Sequence, residues 1–320
     1  MSKRKGGPGD TIAWLALAGI ISYSRYAPRF MRYWAFRLVT NLAYLVLESR
    51  VKMAVEQLKT AFPGEPDEKL RGIVYRSFMN LADFCAEFCW MRDMTVGNLD
   101  RYIHFRQFEH LEEAYKRGKG VVLVWAHFDH FEWVNFALAL KGYPVYTLIR
   151  QVDNRRIDAM LDSMRRASGQ KIINRENSAA EIIRRLREGS IVTIAADQNA
   201  LYNEVFVRFF GKWASTIKSP AVVHLRTGAP IIPVYSVREK DDTHTAYFLP
   251  EVQIRKTGDI KKDVVLITQA IADVQARFIS QRPDLWLWIH RRWKIQPDEK
   301  EQAYYSEILS HSGNNGAEVK

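Results

Sequence analysis

Only two cysteines, Cys85 and Cys89, occur in 320 residues. They sit one helical turn apart in an apolar segment, a spacing poorly suited to pairing. A disulfide framework is therefore excluded, and a reducing compartment fits. The chain has no Gly-x-Ser-x-Gly elbow, no Walker loop and no Gly-x-Gly-x-x-Gly fingerprint. Covalent serine hydrolysis and nucleotide chemistry lose most of their support with them. The His-Glu-x-x-His zinc pattern is also missing, and no internal repeat is visible. No apolar run reaches the ~20 residues of an untilted membrane-spanning helix. Acidic side chains are outnumbered, 36 against 47 basic ones, which leaves a net charge of +11.

What is present is an ordinary globular composition, 47% hydrophobic and 26% charged, enough to bury a full core. The basic excess favours an anionic partner: nucleic acid, anionic lipid or an acidic carrier protein. Its distribution is informative. Residues 1–56 hold nine basic and three acidic side chains, +6 of the total +11. Lys3, Arg4 and Lys5 precede an uncharged run of 14 residues, Thr11 to Ser24. As helix that run measures roughly 21 Å, short of the ~30 Å hydrocarbon core. Arg25, Arg29, Arg32 and Arg37 follow, interleaved with Tyr26, Phe30, Tyr33, Trp34 and Phe36, and a helix is expected from near Pro28. A second uncharged run spans Leu38 to Leu47. Such a segment suits the bilayer interface, with guanidinium groups at the headgroups and rings at the acyl boundary. A cleaved signal peptide fits poorly, because Ala16 to Ala18 lies inside the apolar run instead of after it. A tilted span or re-entrant hairpin is the competing reading to a surface anchor.

Beyond it, residues 48–95 read as helices broken at Pro63–Gly64. Gly120 to Trp125 is a short continuous apolar run, the mark of a buried strand. Further strands are expected at Tyr143 to Leu148, Lys171 to Ile173, Ile191 to Ala195, Ile231 to Val237 and Thr245 to Leu249. Helices are expected at Phe131 to Leu140, Arg155 to Ala167, Ala179 to Glu188, Lys218 to Arg226 and Lys262 to Ser280. This alternation predicts an α/β fold, a mostly parallel central sheet flanked by helices with an N-terminal helical membrane-associating segment. The boundaries expected are 1–47 for that segment, 48–311 for the α/β domain and 312–320 for a disordered tail.

Ligand sites in open α/β sheets lie at the carboxyl ends of strands. Trp125-Ala-His-Phe-Asp-His-Phe-Glu-Trp133 occupies that place after the strongest strand. On one continuous helix His127 and Glu132 point about 140° apart. If His127 lies in the turn and Glu132 in the first helical turn, the carboxylate is expected to fold back onto the imidazole and make it a general base. A capping or core histidine is the plain alternative. His127, Asp129, His130 and Glu132 also offer metal donors, but no distant further ligand is evident and no metal is expected.

Four blocks in order now resemble one family. They are His127-Phe-Asp-His-Phe-Glu132; Leu148-Ile-Arg-Gln-Val-Asp-Asn154; Ala196-Asp-Gln-Asn199 with Val205 to Thr216 and Gly228-Ala-Pro-Ile-Ile-Pro233; and Trp286-Leu-Trp-Ile-His-Arg-Arg-Trp-Lys294. They are similar to blocks of the bacterial lipid A biosynthesis (late) acyltransferases of the lysophospholipid acyltransferase superfamily. The chain departs at Gln151, where the family often has Pro, and at Asn199, where Asp is frequent. The resemblance implies transfer of a fatty acyl chain from a thioester, usually on acyl carrier protein, to a lipid hydroxyl. It implies His127 as the base and Glu132 as its support. Arg150 is the candidate for the oxyanion or an acceptor phosphate, and Asp197 for orienting Arg150 or a histidine. Asn154, Arg208, Lys218 and Arg291 are candidate substrate-binding residues, with Ser215 and Thr216 as possible helix N-caps. No cofactor is implied. Partners are an acyl carrier protein or coenzyme A donor, a phosphorylated glycolipid acceptor and an anionic membrane surface. The expected location is the cytoplasmic face of the inner membrane, peripheral or single-span. Competing readings are a glycerophospholipid acyltransferase, which usually carries a Glu-Gly-Thr-Arg motif absent here, another glycolipid acyltransferase, or a basic membrane- or nucleic-acid-binding protein. Nucleic acid is disfavoured because most of the charge lies beside the apolar runs.

Overall fold

A computed structural model of the chain describes residues 7–175, 178–201, 204–253 and 255–310. The tail expected at 312–320 lies outside the described residues. In chain order the elements are α1 (Pro8–Tyr26), α2 (Arg29–Val46), α3 (Glu48–Ala61), α4 (Asp67–Trp90), β1 (Ile103–Arg106), α5 (Glu109–Lys116), β2 (Val121–Trp125), α6 (Phe131–Leu140), β3 (Val145–Ile149), α7 (Arg155–Arg166), β4 (Lys171–Asn174), α8 (Ala179–Arg187), β5 (Ile191–Ala195), β6 (Val205–Phe209), β7 (Lys212–Thr216), α9 (Ser219–Thr227), β8 (Ile231–Arg238), β9 (His244–Phe248), α10 (Ile260–Gln281) and α11 (Glu299–Ser310).

Seven strands form one sheet in the order β1-β9-β8-β2-β5-β3-β4. Five of its six neighbouring pairs are parallel, and only β8 with β9 is antiparallel. Crossover helices cover both faces, so central strands must be apolar on both. β2 obeys this: all five residues are buried. Val122 and Val124 enter the core packed by α9, α10 and the α3–α4 pair, while Val121, Leu123 and Trp125 enter the core packed by α5 and α6. The alternation is the period of two that a pleated strand imposes. Gly120 opens β2 at φ +68, where a Cβ would lie 2.5 Å from Leu186 O and 2.7 Å from Ser190 O. Only glycine fits there, and it lets the chain enter the sheet tight against α8.

The five strands expected at 143–249 are all present within a residue or two of their expected ends. Two strands, β6 and β7, form a separate antiparallel hairpin. Its tight turn is Phe210–Gly211, both at positive φ. Ser215 and Thr216 therefore belong to β7 and do not cap α9, whose N-cap is Lys218 with no side-chain cap bond.

α1 and α2 lie on the outside. α2 has no buried residue. Tyr33 and Arg37 face α4, where Arg37 makes a two-pronged pair with Asp83 at 2.7 and 2.8 Å and the Tyr33 hydroxyl donates to Glu87. The adjoining face carries Phe30, Trp34, Leu38, Leu42 and Leu45 at helical spacing, all exposed, Trp34 at 67%. Among the described residues no helix is long and apolar enough to cross a membrane.

Candidate active site

β2 and β5 are adjacent and parallel, with Trp125 opposite Ala195. Counting two residues past each strand end brings His127 beside Asp197. The His127 backbone N–H donates to Asp197 Oδ2 at 2.8 Å, and His127 Nδ1 lies 2.9 Å from Asp197 Oδ1. The Trp286 indole N–H donates to Asp197 Oδ2, also at 2.8 Å. Asp197 is 1% exposed. Burial pushes its carboxyl up, but the His127 imidazole, the Trp286 indole and the His127 N–H outweigh burial and hold it at about 2. Asp197 is thus a fixed anion. It accepts a proton-bearing Nδ1, which leaves the His127 Nε2 lone pair free to act. The His127 side chain is 21% exposed, and the Gln198 side-chain nitrogen lies 3.2 Å from Nε2.

A cavity of about 140 Å³ opens beside His127, lined by Leu81, Phe84, Phe131, Leu285 and Leu287 among others.

Glu132 is elsewhere. It lies in the first turn of α6, buried, and its Oε1 accepts from Arg165 Nε at 3.0 Å and Nη2 at 2.7 Å. No hydrogen bond joins Glu132 to His127 among the described residues; the carboxylate on His127 is Asp197. The reason is directional. The loop turns through Asp129 at φ +48 before α6 begins, and Glu132 points toward α7.

The remaining expected residues are dispersed. Arg150 is exposed just past β3. Asn154 is the N-cap of α7, accepting from Arg156 and Ile157 N–H groups, and its Nδ2 donates to Asp10 O at 2.7 Å, tying α7 to α1. Arg208 stacks on Trp213, 3.8 Å from the ring centroid, and borders another cavity beside α10. The Lys218 backbone N–H donates to Glu204 Oε2 at 2.8 Å. Arg291 is exposed, with Nε 3.1 Å from Met53 Sδ. Its neighbour Arg292, unsuspected from the sequence, is fully buried. Arg292 Nη1 donates to Ser215 O at 2.7 Å and Nη2 to Thr216 Oγ1 at 2.6 Å. Burial lowers its guanidinium to about 10, Asp197 acting in the opposite sense. Gln57 holds the same segment, accepting from the Arg292 N–H at 2.7 Å and donating to Trp288 O at 2.6 Å. The Trp-rich C-terminal block is therefore the buttress behind Asp197. Its tryptophans at positions 286, 288 and 293 signalled burial, but nothing in the spacing distinguished Arg292 from Arg291.

The profile of the family described as bacterial lipid A biosynthesis acyltransferase matches residues 2–295. The chain is 24% identical over 267 residues to the lipid A biosynthesis lauroyltransferase of Escherichia coli (strain K12), covering 81% of this chain and 83% of that protein. It is 21% identical over 299 residues to lipid A biosynthesis acyltransferase 2 of Shigella flexneri, covering 91% and 92%. The phosphatidylinositol mannoside acyltransferase of Mycolicibacterium smegmatis (strain ATCC 700084 / mc(2)155) is 24% identical over 242 residues, covering 74% and 76%. With the matching profile running through both His127 and Asp197, the chain belongs to the bacterial lipid A biosynthesis acyltransferase family and is an acyltransferase.

Proposed function

We propose that the chain moves a fatty acyl group from an acyl thioester, carried by acyl carrier protein, to a hydroxyl of a lipid A precursor at a membrane surface. The observation that carries the mechanism is the His127–Asp197 pair at the ends of two neighbouring parallel strands. His127 Nε2 takes the proton as the acceptor hydroxyl attacks the thioester carbonyl. Asp197 holds the ring and stabilises the imidazolium that forms. The tetrahedral adduct then expels sulfur as the C–S bond breaks, and the imidazolium returns the proton to the thiolate. No acyl-enzyme is required. The Gln198 amide meets His127 Nε2 where the acceptor oxygen must sit, so acceptor binding displaces Gln198 from that nitrogen.

Glu132 in this reading acts through Arg165, by fixing the start of α6 against α7, and so supports the His127 turn from behind. Arg150, exposed just past β3, is the candidate for an acceptor phosphate. The stripe Phe30, Trp34, Leu38, Leu42 and Leu45, with Arg25 and Arg29 nearby, supports peripheral attachment to an anionic bilayer, at the inner-membrane cytoplasmic face where an acyl carrier protein meets lipid.

A second acceptor class is favoured by one observation: relatives named phosphatidylinositol mannoside acyltransferases match as well as some lipid A enzymes. Mass spectrometry of membrane glycolipids decides both points. Cells with the wild-type protein should show a glycolipid heavier by one acyl group than cells with His127→Ala, and the mass assigns the acceptor. An unchanged glycolipid profile, with His127→Ala folded and present, would rule the reading out.

A further inference from the structure

A buried ionic chain runs from the outer helix α2 to the active-site turn. His244 opens β9 and is 0% exposed. Its Nδ1 lies 2.8 Å from Asp129 Oδ2 and its Nε2 3.1 Å from Glu87 Oε2. Carboxylates only accept, so both ring nitrogens carry protons and the ring is an imidazolium. Burial alone would remove its charge; Asp129 and Glu87 reverse that and push it up to about 10. Glu87 is shared further, with the Tyr33 hydroxyl and with Arg238 Nη2 at 3.1 Å. His130, packed between Phe84 and Trp133, is kept neutral by burial beside this cation.

Asp129 connects this chain to the chemistry. It is the middle of the turn between His127 and α6, and it holds a left-handed backbone, φ +48, uncommon outside glycine. Such a conformation persists only when its surroundings impose it. Three contacts do so: the Asp129 N–H donates to Leu285 O at 2.9 Å, and the Asp129 carboxylate is held by His244 and by the His130 backbone N–H. Asp129 and His127 line the same small cavity.

We infer that His244 is a positioning residue for the transfer reaction: its Nδ1–H clamps Asp129 in the left-handed turn, and that turn sets where the His127 ring stands at the cavity mouth. This rests on His127 being the base. The alternative is that His244 merely ties β9 to α4 through Glu87. The two differ in which ring nitrogen matters, and amide side chains separate them. In His244→Asn the side-chain nitrogen occupies the place of Nδ1 and keeps the arm to Asp129. In His244→Gln it occupies the place of Nε2 and keeps only the arm to Glu87.

The experiment uses the full chain with lauroyl-acyl carrier protein and a lipid A precursor in mixed micelles, alongside the low-field proton NMR line of His127 Nδ1–H, assigned by its loss in His127→Ala. His244→Gln should lower kcat at least about 10-fold with KM nearly unchanged and shift or broaden that line, since an ångström of misplacement costs up to about 10²-fold. His244→Asn should restore both. Should His244→Gln fail to fold, Asp129→Gly, which keeps the positive φ and deletes the clamp, should give the same loss. Wild-type kcat and an unmoved line in folded His244→Gln or Asp129→Gly would overturn the inference, as would equal losses in Asn and Gln variants. If His127→Ala itself transferred normally, the general-base reading would fall. The NMR line would still decide whether His244 positions the ring.

Discussion

Replacing Glu132 separates two accounts of the His-x4-Glu spacing. If Glu132 serves His127 directly, its loss should strike turnover and leave stability nearly intact. The structure places its carboxylate on Arg165 instead, at 2.7 and 3.0 Å, with the two side chains only 6% and 13% exposed. Removing Arg165 strands the Glu132 charge in a poorly solvated place, which costs about 3–5 kcal/mol, and removing Glu132 leaves Arg165 only Asp162 as an ion-pair partner, at 3.8 Å, among the described residues. For a chain of this size that corresponds to a Tm lowered by on the order of 10 °C. Arg165→Met should cost as much as Glu132→Gln, because it leaves the more deeply buried charge unpaired. The double variant, with neither charge, should recover at least half the loss. Thermal unfolding of the four proteins, read by circular dichroism, gives the coupling directly. Activity of the single variants should fall by similar factors, since both loosen the same α6–α7 contact. A stable Arg165→Met with unchanged turnover, beside a stable but inactive Glu132→Gln, would refute the reasoning and return Glu132 to His127.

Three further outcomes follow from the same geometry. His244, held at about 10 against an ordinary 6.5, stabilises the fold fully below pH 6.5 and loses that contribution as pH rises through 10; urea midpoints between these values should fall more steeply for wild type than for His244→Asn. Gly120→Ala should destabilise by roughly 2 kcal/mol or more, because its Cβ meets backbone atoms of Leu186 and Ser190 at under 3.0 Å in a positive-φ position; an unaltered Tm would contradict that packing. Trp34→Glu with Leu38→Glu should abolish co-sedimentation with anionic phosphatidylglycerol vesicles while leaving Tm unchanged, and persistent binding would remove α2 as the attachment face.

The sheet was legible where burial is complete. β2 is a continuous apolar run because both its faces are covered, β5 is broken only by Thr193, and β8 opens Ile-Ile-Pro-Val; such runs need no tertiary knowledge to find. β1 was not legible: of its four residues only Ile103 is buried, so it has no pattern to show. The β6–β7 hairpin was hidden because it lies outside the main sheet, with β6 packed on α10, although Phe-Phe-Gly at its turn was a usable signal. At the site, His127 and Asp197 each stood out as residues just past a buried strand. Their pairing did not, since it depends on β2 and β5 being neighbours, an adjacency that joins residues 70 apart. Glu132 looked like the partner because it is near in sequence. The left-handed turn at Asp129 and the pull of Arg165 send it the other way, and neither is visible without the fold. Arg292 was indistinguishable from Arg291 until burial separated them.

The central claim is that Asp197, fixed by Trp286 and paired with His127, makes His127 the base for acyl transfer. Single-turnover transfer from lauroyl-acyl carrier protein by folded Asp197→Asn tests it most directly. An amide there keeps the shape but presents a donor to Nδ1, favouring the tautomer whose proton sits on Nε2. The account requires a rate lower by about 10³-fold or more, and a rate within a few-fold of wild type would contradict it.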